Sequence, residues 1–149
     1  MKKVVLIISV TFLFAGFSFS QNETEKEAIK EVIRSGYVDG LMNYGDTEVT
    51  KKCFHPDFYI TILSNNGLAK YNISDWIKNV EKTKADGKVP DRKVSVEFAM
   101  IDITKYAAVA KLNLSDNNNK QLYTDYLLLY KFEEGWKIVQ KIYYEYGHN

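Results

Sequence analysis

Asp125 lies within the stretch YTDYLLLYK, at residues 123–131, which has few other polar residues. Tyrosine, threonine and leucine favour a β-strand, in which an ionised carboxylate is costly to bury without a partner. Inside an apolar cavity a carboxylate holds its proton more tightly, which is what a general base requires. Asp125 is therefore a candidate catalytic base. The alternative is a structural role, in which a tyrosine hydroxyl or a helix backbone satisfies the carboxylate by a hydrogen bond.

His55 is the second candidate for acid–base chemistry. It precedes Pro56, which disfavours helical geometry, so it should lie where a helix gives way to a strand. It could act beside Asp125 or, alternatively, cap and pack against the preceding helix. His148, next to the C-terminus, is expected to be frayed. Two histidines and the single Cys53 show no metal-ligand spacing, so neither a metal nor a cofactor is expected.

The chain contains eleven tyrosines, which suggests a pocket with aromatic walls. Such walls stack on a flat ring and hydrogen-bond to its edge, so the expected ligand is a small aromatic molecule. The alternative is that tyrosine simply suits strands. The candidate pocket residues are Tyr37, Tyr59, Tyr71, Tyr123, Gln140 and Tyr144.

Three early helices are predicted to position these residues. A capping box at 24–27 is followed by apolar residues at helical spacing to about Tyr44, where Gly45 ends the helix. Gly36 and Gly40 lie four residues apart and suggest close packing. Asp46 is expected to cap a short second helix that ends before Pro56. A third helix should run over 74–84.

From residue 58 onwards the apolar period changes to two, which predicts strands. After a strand at 58–63, residues 68–72 form either a short strand or an extended connection. The predicted later strands span 92–103, 106–114, 121–132 and 136–146. Helices followed by a mostly antiparallel sheet indicate an α+β domain in which the helices cover one face of a curved sheet.

The last hairpin determines which residues face Asp125. A two-residue turn at 134–135 would place Asp125 opposite Tyr144 and point Lys141 outward, whereas a one-residue bulge would bring Lys141 onto the face of Asp125. The sequence leaves both registers open. The outer face is expected to be apolar enough for a homodimer, and carries Thr124, Tyr126, Leu128, Tyr130, Val139 and Tyr143.

Residues 1–20 have the layout of a cleaved secretory signal, with Lys2 and Lys3 before an apolar run and small residues at its end. An uncleaved anchor is the alternative. Residues 21–149 suffice for one domain, and the expected location is secreted or periplasmic. Loss of two lysines leaves 18 basic and 19 acidic residues, so neither nucleic acid nor a membrane surface is an expected partner after cleavage.

Three stretches carry a family resemblance: AIKEVIRSGYVDGLMNYGD at 28–46, CFHPDFYI at 53–60 and YTDYLLLYKFEEGWKIVQKIYY at 123–144. In them the chain resembles the NTF2-like, or cystatin-like, superfamily of α+β cones, and within it the bacterial family labelled lumazine-binding. The resemblance implies helices on the concave face of the sheet and a pocket inside the cone. It leaves three functions open: a binder of an aromatic or heterocyclic molecule, a cofactor-independent isomerase or dehydratase using Asp125, and a dimeric interaction module with a vestigial pocket.

Overall fold

The computed structural model describes the backbone of residues 13–147 and the side chains of residues 21–147. The predicted signal peptide and the predicted fraying of His148 lie outside the residues described in full. The helices are α1 (Leu13–Val32), a π-helix (Ile33–Met42), α2 (Thr47–Cys53) and α3 (Ile73–Ala85). The strands are β1 (Phe54–Ser64), β2 (Gly67–Asn72), β3 (Ser95–Thr104), β4 (Ala107–Ser115), β5 (Gln121–Phe132) and β6 (Gly135–Glu145). Within residues 13–147, no helix is both long and apolar enough to cross a membrane.

The predicted first helix continues as a π-helix over its last ten residues. The two glycines of this segment lie directly against α2. A Cβ atom on Gly36 would stand 2.2 Å from the Cβ of Cys53, and one on Gly40 would stand 2.1 Å from Oγ1 of Thr50. The predicted close packing at these glycines is therefore confirmed. π-Helices are rare and are frequently found at functional sites, so the side chains of this segment are candidate site residues.

Polar side chains cap the N-termini of α2 and α3. Asp46 caps α2, as predicted, by accepting a hydrogen bond from the backbone N–H of Glu48 at 2.8 Å. Asn72 caps α3 by accepting from the N–H of Asp75 at 2.9 Å. The third helix thus begins at Ile73, one residue before the predicted start, because asparagine at position 72 supplies the cap.

The six strands form one sheet in the order β2-β1-β6-β5-β4-β3. All neighbouring strands are antiparallel except β1 and β6, which are parallel. Residues 68–72 belong to β2, so the strand alternative is the correct one. The predicted α+β class is confirmed: helices cover one face of a mostly antiparallel sheet, and the apolar core lies between them.

The β5–β6 hairpin has a different register from the one predicted for a turn at 134–135. Phe132 pairs with Gly135, and a bulge between Leu128 and Leu129 then shifts the pairing by one residue. Asp125 consequently lies opposite Tyr143, and Lys141 lies opposite Leu127. The predicted pairing of Asp125 with Tyr144 is wrong. The bulge alternative describes the hairpin, because one extra residue moves every later side chain of β6 to the other face.

The outer face, defined here as Tyr126, Leu128, Tyr130, Ile142 and Tyr144, is apolar and exposed. Exposure of these side chains ranges from 37% for Tyr126 to 63% for Tyr144. Tyr143 was expected on this face and instead lies on the inner face, opposite Asp125. Ile142 and Tyr144 take its place as a result of the bulge.

Candidate functional site

A buried cluster of three polar side chains lies inside the cone. Tyr37 donates a hydrogen bond from its hydroxyl to Oδ2 of Asp125 at 2.5 Å. Nζ of Lys141 lies 2.9 Å from the same Oδ2 and donates to the Tyr37 hydroxyl at 2.5 Å. Tyr37 and Asp125 are 0% exposed and Lys141 is 4% exposed. Asp125 therefore faces the inside of the cone, where Lys141 and Tyr37 supply its partners.

Four aromatic rings surround the ammonium group of Lys141. The distances from Nζ to the ring centroids are 4.8 Å for Tyr37, 4.9 Å for Tyr143, and 5.7 Å for both Trp76 and Tyr123. Ammonium groups are attracted to aromatic faces at distances up to about 6 Å. We call these four residues the Lys141 cage. They place an aromatic wall around a cation whose charge the Asp125 carboxylate balances.

Four different elements build the Lys141 cage. Tyr37 comes from the π-helix, Trp76 from the first turn of α3, Tyr123 from β5 and Tyr143 from β6. The Tyr37 ring packs edge-on against Trp76 with centroids 5.9 Å apart, and Tyr123 packs in the same way against Tyr143 at 5.9 Å. Edge-to-face contacts of this kind fix ring orientations, so the cage is held by its own aromatic packing.

Burial dominates the electrostatics of the cluster. Burial lowers the pKa of Lys141 below its ordinary value, and the nearby Asp125 carboxylate opposes that change. Burial also raises the pKa of Tyr37 well above its ordinary value, and the Asp125 charge adds to the effect. The second carboxylate oxygen, Oδ1 of Asp125, is buried and has no hydrogen-bond partner among the described residues. The cluster is thus paired in charge but incomplete in hydrogen bonding.

Tyr37 should consequently titrate only when the protein unfolds. The unfolded chain releases tyrosine protons near pH 10, whereas the folded chain retains that of Tyr37, so its contribution to stability is complete below about pH 10 and is lost as the pH rises. Ultraviolet absorbance of phenolate should show a cooperative step at the alkaline unfolding transition. In Tyr37→Phe this step should lose the amplitude of one tyrosine. An unchanged amplitude of this step in Tyr37→Phe would contradict the assignment.

The structure does not bring His55 together with Asp125. The His55 ring stacks on Phe132 with centroids 5.1 Å apart, and its Nδ1 accepts a hydrogen bond from the backbone N–H of Asp57 at 3.2 Å. Neighbouring Phe54 pairs with Ile138, whereas Asp125 pairs with Tyr143, so the two candidates lie toward different ends of β6. An acid–base pair of His55 and Asp125 is not formed. His55 packs on Phe132 beside the helix-to-strand connection, and its hydrogen bond is with Asp57 rather than with the end of α2.

The candidate pocket tyrosines fall on both faces of the sheet. Tyr37 and Tyr123 belong to the Lys141 cage, and Tyr71 contacts Trp76 with centroids 6.4 Å apart. Gln140 pairs with both Leu128 and Tyr59, on the side of the sheet away from Asp125, so the predicted cone-facing positions of Gln140 and Tyr59 are wrong. Tyr144 is likewise misplaced, on the outer face. The bulge moves Gln140 and Tyr144 away from the cone. Tyr59 points away from the cone because it alternates along β1 with buried Phe58 and Ile60.

Sequence reasoning did not identify Trp76 or Tyr143 as site residues, and it left open whether Lys141 faces Asp125. Trp76 was not among the candidate pocket residues, and Tyr143 was placed on the outer face. The signal present in the sequence was a lysine, Lys141, on the strand next to that of Asp125. The two side chains share a face only because of a single bulge. Within residues 21–147 no group of three or more histidine, cysteine, aspartate or glutamate side chains could hold a metal ion.

A separate pocket opens between α2, α3 and the start of β1, and we call it the helix pocket. Its volume is about 420 Å³, within the range of small-molecule sites. Its apolar part consists of Phe54, Pro56, Ile73 and Ile77, and its polar part of Lys51, Ser74, Lys78 and Glu81. The ring of Phe54 also packs edge-on against Tyr37, with centroids 6.4 Å apart. Phe54 thus separates the helix pocket from the buried cluster.

Helices packed on one face of a curved, mostly antiparallel sheet are the architecture of an NTF2-like, cystatin-like domain. Residues 24–144 match the family described as "Putative lumazine-binding". The chain belongs to this family. No curated protein matches it.

Solved structures support the same fold. An NTF2-like protein with a cystatin-like fold from Novosphingobium aromaticivorans is 14% identical, with a TM-score of 0.69 over 95% of this chain and 94% of that one. An NTF2-like protein of unknown function from Shewanella baltica is 24% identical, with a TM-score of 0.64 over 83% and 95%. A CaMKII hub from S. rosetta is 17% identical, with a TM-score of 0.56 over 80% and 95%. The resemblance to the NTF2-like superfamily and to the lumazine-binding family is confirmed.

Proposed function

We propose that the protein is an exported small-molecule-binding protein that holds an aromatic or heterocyclic ligand in the helix pocket. The observation that carries this proposal is a pocket of about 420 Å³ with an apolar floor and a few polar groups at its rim. Binding sites for small molecules have this composition, in which apolar walls supply affinity and a few polar groups fix orientation. The family description adds lumazine, a flat heterocycle with a polar edge, as the first ligand to test.

The rim of the helix pocket matches a ring with both donors and acceptors. Lys51 contacts Glu48 at 2.6 Å and lies 3.8 Å from Glu81, while Oε1 of Glu81 accepts from Thr47 at 2.9 Å. Lys78, 72% exposed, can extend over the pocket from α3. Each of the two lysines at the rim is paired with a carboxylate, Lys51 with Glu48 and Lys78 with Asp75, so the rim suits a neutral heterocycle better than a strongly charged ligand.

The inside of the cone is a weaker candidate for the ligand. Tyr37, Asp125 and Lys141 are almost completely buried, and none of them lines the helix pocket or the other pockets described among residues 21–147. A general base must reach its substrate directly or through one water molecule. Asp125 is enclosed by Lys141 and Tyr37, so this geometry favours binding over proton-transfer chemistry.

Lumazine fluorescence tests the proposal. Titration of the wild-type protein should change the lumazine emission in a saturable way. Ser74→Trp, which adds an indole at the rim of the helix pocket, should weaken binding about tenfold or more, because tryptophan competes for the apolar floor. Ser74→Ala is the matched control and should bind nearly as the wild type does. Equal binding by both variants would place lumazine elsewhere, and absence of saturable binding would contradict lumazine as the ligand.

A second copy of the chain is proposed as a partner on the outer face. Tyr126, Leu128, Tyr130, Ile142 and Tyr144 form a contiguous apolar stripe on β5 and β6. A two-fold interface is self-complementary, so a stripe of this kind can pack against itself. Leu128→Glu should convert a dimer to a monomer in sedimentation velocity, whereas Val89→Glu, at an exposed loop position, should leave the dimer intact. A monomeric wild-type protein would overturn this proposal.

Export rests on residues 1–20 alone. Expression in the native host should release a mature chain that begins at Gln21, as measured by intact mass. Retention of Met1 in the recovered protein would contradict cleavage.

A further inference from the structure

We propose that the inside of the cone is a binding site for a primary alkylammonium group, and that this chain fills the site with its own Lys141. The ammonium is surrounded by four aromatic rings at 4.8–5.7 Å and is held by a carboxylate oxygen at 2.9 Å and a phenol oxygen at 2.5 Å. Aromatic walls and a carboxylate are the groups with which proteins recognise free amines. The site therefore has the groups of an amine-binding site, and the ammonium group of Lys141 occupies it.

The unpartnered oxygen of Asp125 is an independent observation. Oδ1 is completely buried and accepts no hydrogen bond within the described part of the chain, although burying an unsatisfied acceptor is costly. The lysine ammonium contacts Oδ2 at 2.9 Å, and its attachment to β6 limits where it can lie. A free alkylammonium is not constrained in this way, so it can approach both oxygens. The carboxylate thus retains binding capacity that its tethered partner does not use.

One residue of the Lys141 cage, Trp76 on α3, lies near the protein surface. It also lines a small pocket of about 120 Å³ together with Tyr44 and Arg92. In the intact chain Lys141 excludes other amines from the cone. This inference does not rest on lumazine binding, because the helix pocket lies on the other side of Phe54 and contains neither Asp125 nor Lys141.

Chemical complementation tests the inference. Lys141→Ala removes three methylene groups and the ammonium, and n-propylammonium has the same atoms. Propylammonium chloride should raise the melting temperature of this variant, with an apparent dissociation constant about tenfold or more below that of 1-propanol, its neutral analogue. The wild-type protein should show no such difference. In Lys141→Ala with Asp125→Asn, the preference for propylammonium over propanol should disappear. Equal stabilisation of Lys141→Ala by propanol and propylammonium would show only an apolar cavity and would overturn the proposal.

A second variant keeps the test decisive if Lys141→Ala does not fold. Methionine at position 141 retains most of the aliphatic chain and leaves a space about the size of one ammonium ion. Ammonium chloride should then stabilise Lys141→Met more than sodium chloride does at the same ionic strength, and should have no such effect on the wild type. If ammonium and sodium act equally on Lys141→Met, the ammonium site does not exist as proposed.

Discussion

Lys141→Met is expected to lower the free energy of unfolding by about 3–5 kcal/mol, because it leaves the Asp125 carboxylate buried without a cation. Asp125 is 0% exposed, one of its oxygens has no partner among the described residues, and its salt bridge is with Lys141. Methionine preserves the aliphatic packing of lysine, so the loss is chiefly electrostatic. Urea denaturation, with the slope compared between variants, measures the difference.

The same substitution at another lysine of β6 provides the control. Lys137 is only half-buried and pairs with Tyr130 at the edge of the outer face. Lys137→Met should change the free energy of unfolding by about 0.5 kcal/mol or less. Asp125→Leu combined with Lys141→Met should recover most of the loss, since replacing both members of a buried ion pair is often neutral. A double variant as unstable as Lys141→Met would mean that packing, rather than the unpaired charge, causes the instability.

Phe54→Ala is expected to lower the free energy of unfolding by about 3–5 kcal/mol, through loss of buried apolar surface and formation of a cavity. Phe54 is 2% exposed and packs edge-on against Phe58, with centroids 4.8 Å apart, as well as against Tyr37. The substitution joins the helix pocket to the region around Tyr37. It should therefore also weaken lumazine binding by removing part of the pocket floor.

Phe132→Ala is the matched control for Phe54→Ala. Phe132 is 37% exposed and its ring contact is with His55, so its removal should cost about 1 kcal/mol or less. Calorimetry or chemical denaturation of both variants gives the comparison. Similar losses for the two phenylalanines would contradict the central position of Phe54 between the pocket and the cluster.

The protein has two distinct candidate sites. The helix pocket is open and apolar, and it is proposed to bind an external ligand. The cone is closed around a salt bridge, and its chemistry is directed at an ammonium group that belongs to the chain itself. Variants of Ser74 test the first site and variants of Lys141 test the second, so each proposal can fail without the other.

Local sequence determined the elements and the fold class. Helical spacing of apolar residues, the Asp46 cap and the change to period two at residue 58 each depend on interactions between neighbours in the chain, which a sequence displays directly. The close packing at Gly36 and Gly40 could also be predicted from the sequence. Glycine destabilises a helix, so two glycines on one helix suggest that another element packs closely against them. The sequence likewise singled out Asp125 and Tyr37.

Only the tertiary structure determined which groups pair with Asp125. A bulge of one residue between β5 and β6 brings Lys141 and Tyr143 inward and moves Gln140 and Tyr144 outward. Bulged and regular pairings of this hairpin share the same alternating pattern, and the choice depends on how the whole inner face packs against the helices. The π-helix, α3 and two strands then meet around one ammonium group. Contacts between residues as distant as Tyr37 and Lys141 are set by that packing and have no local signal in the sequence.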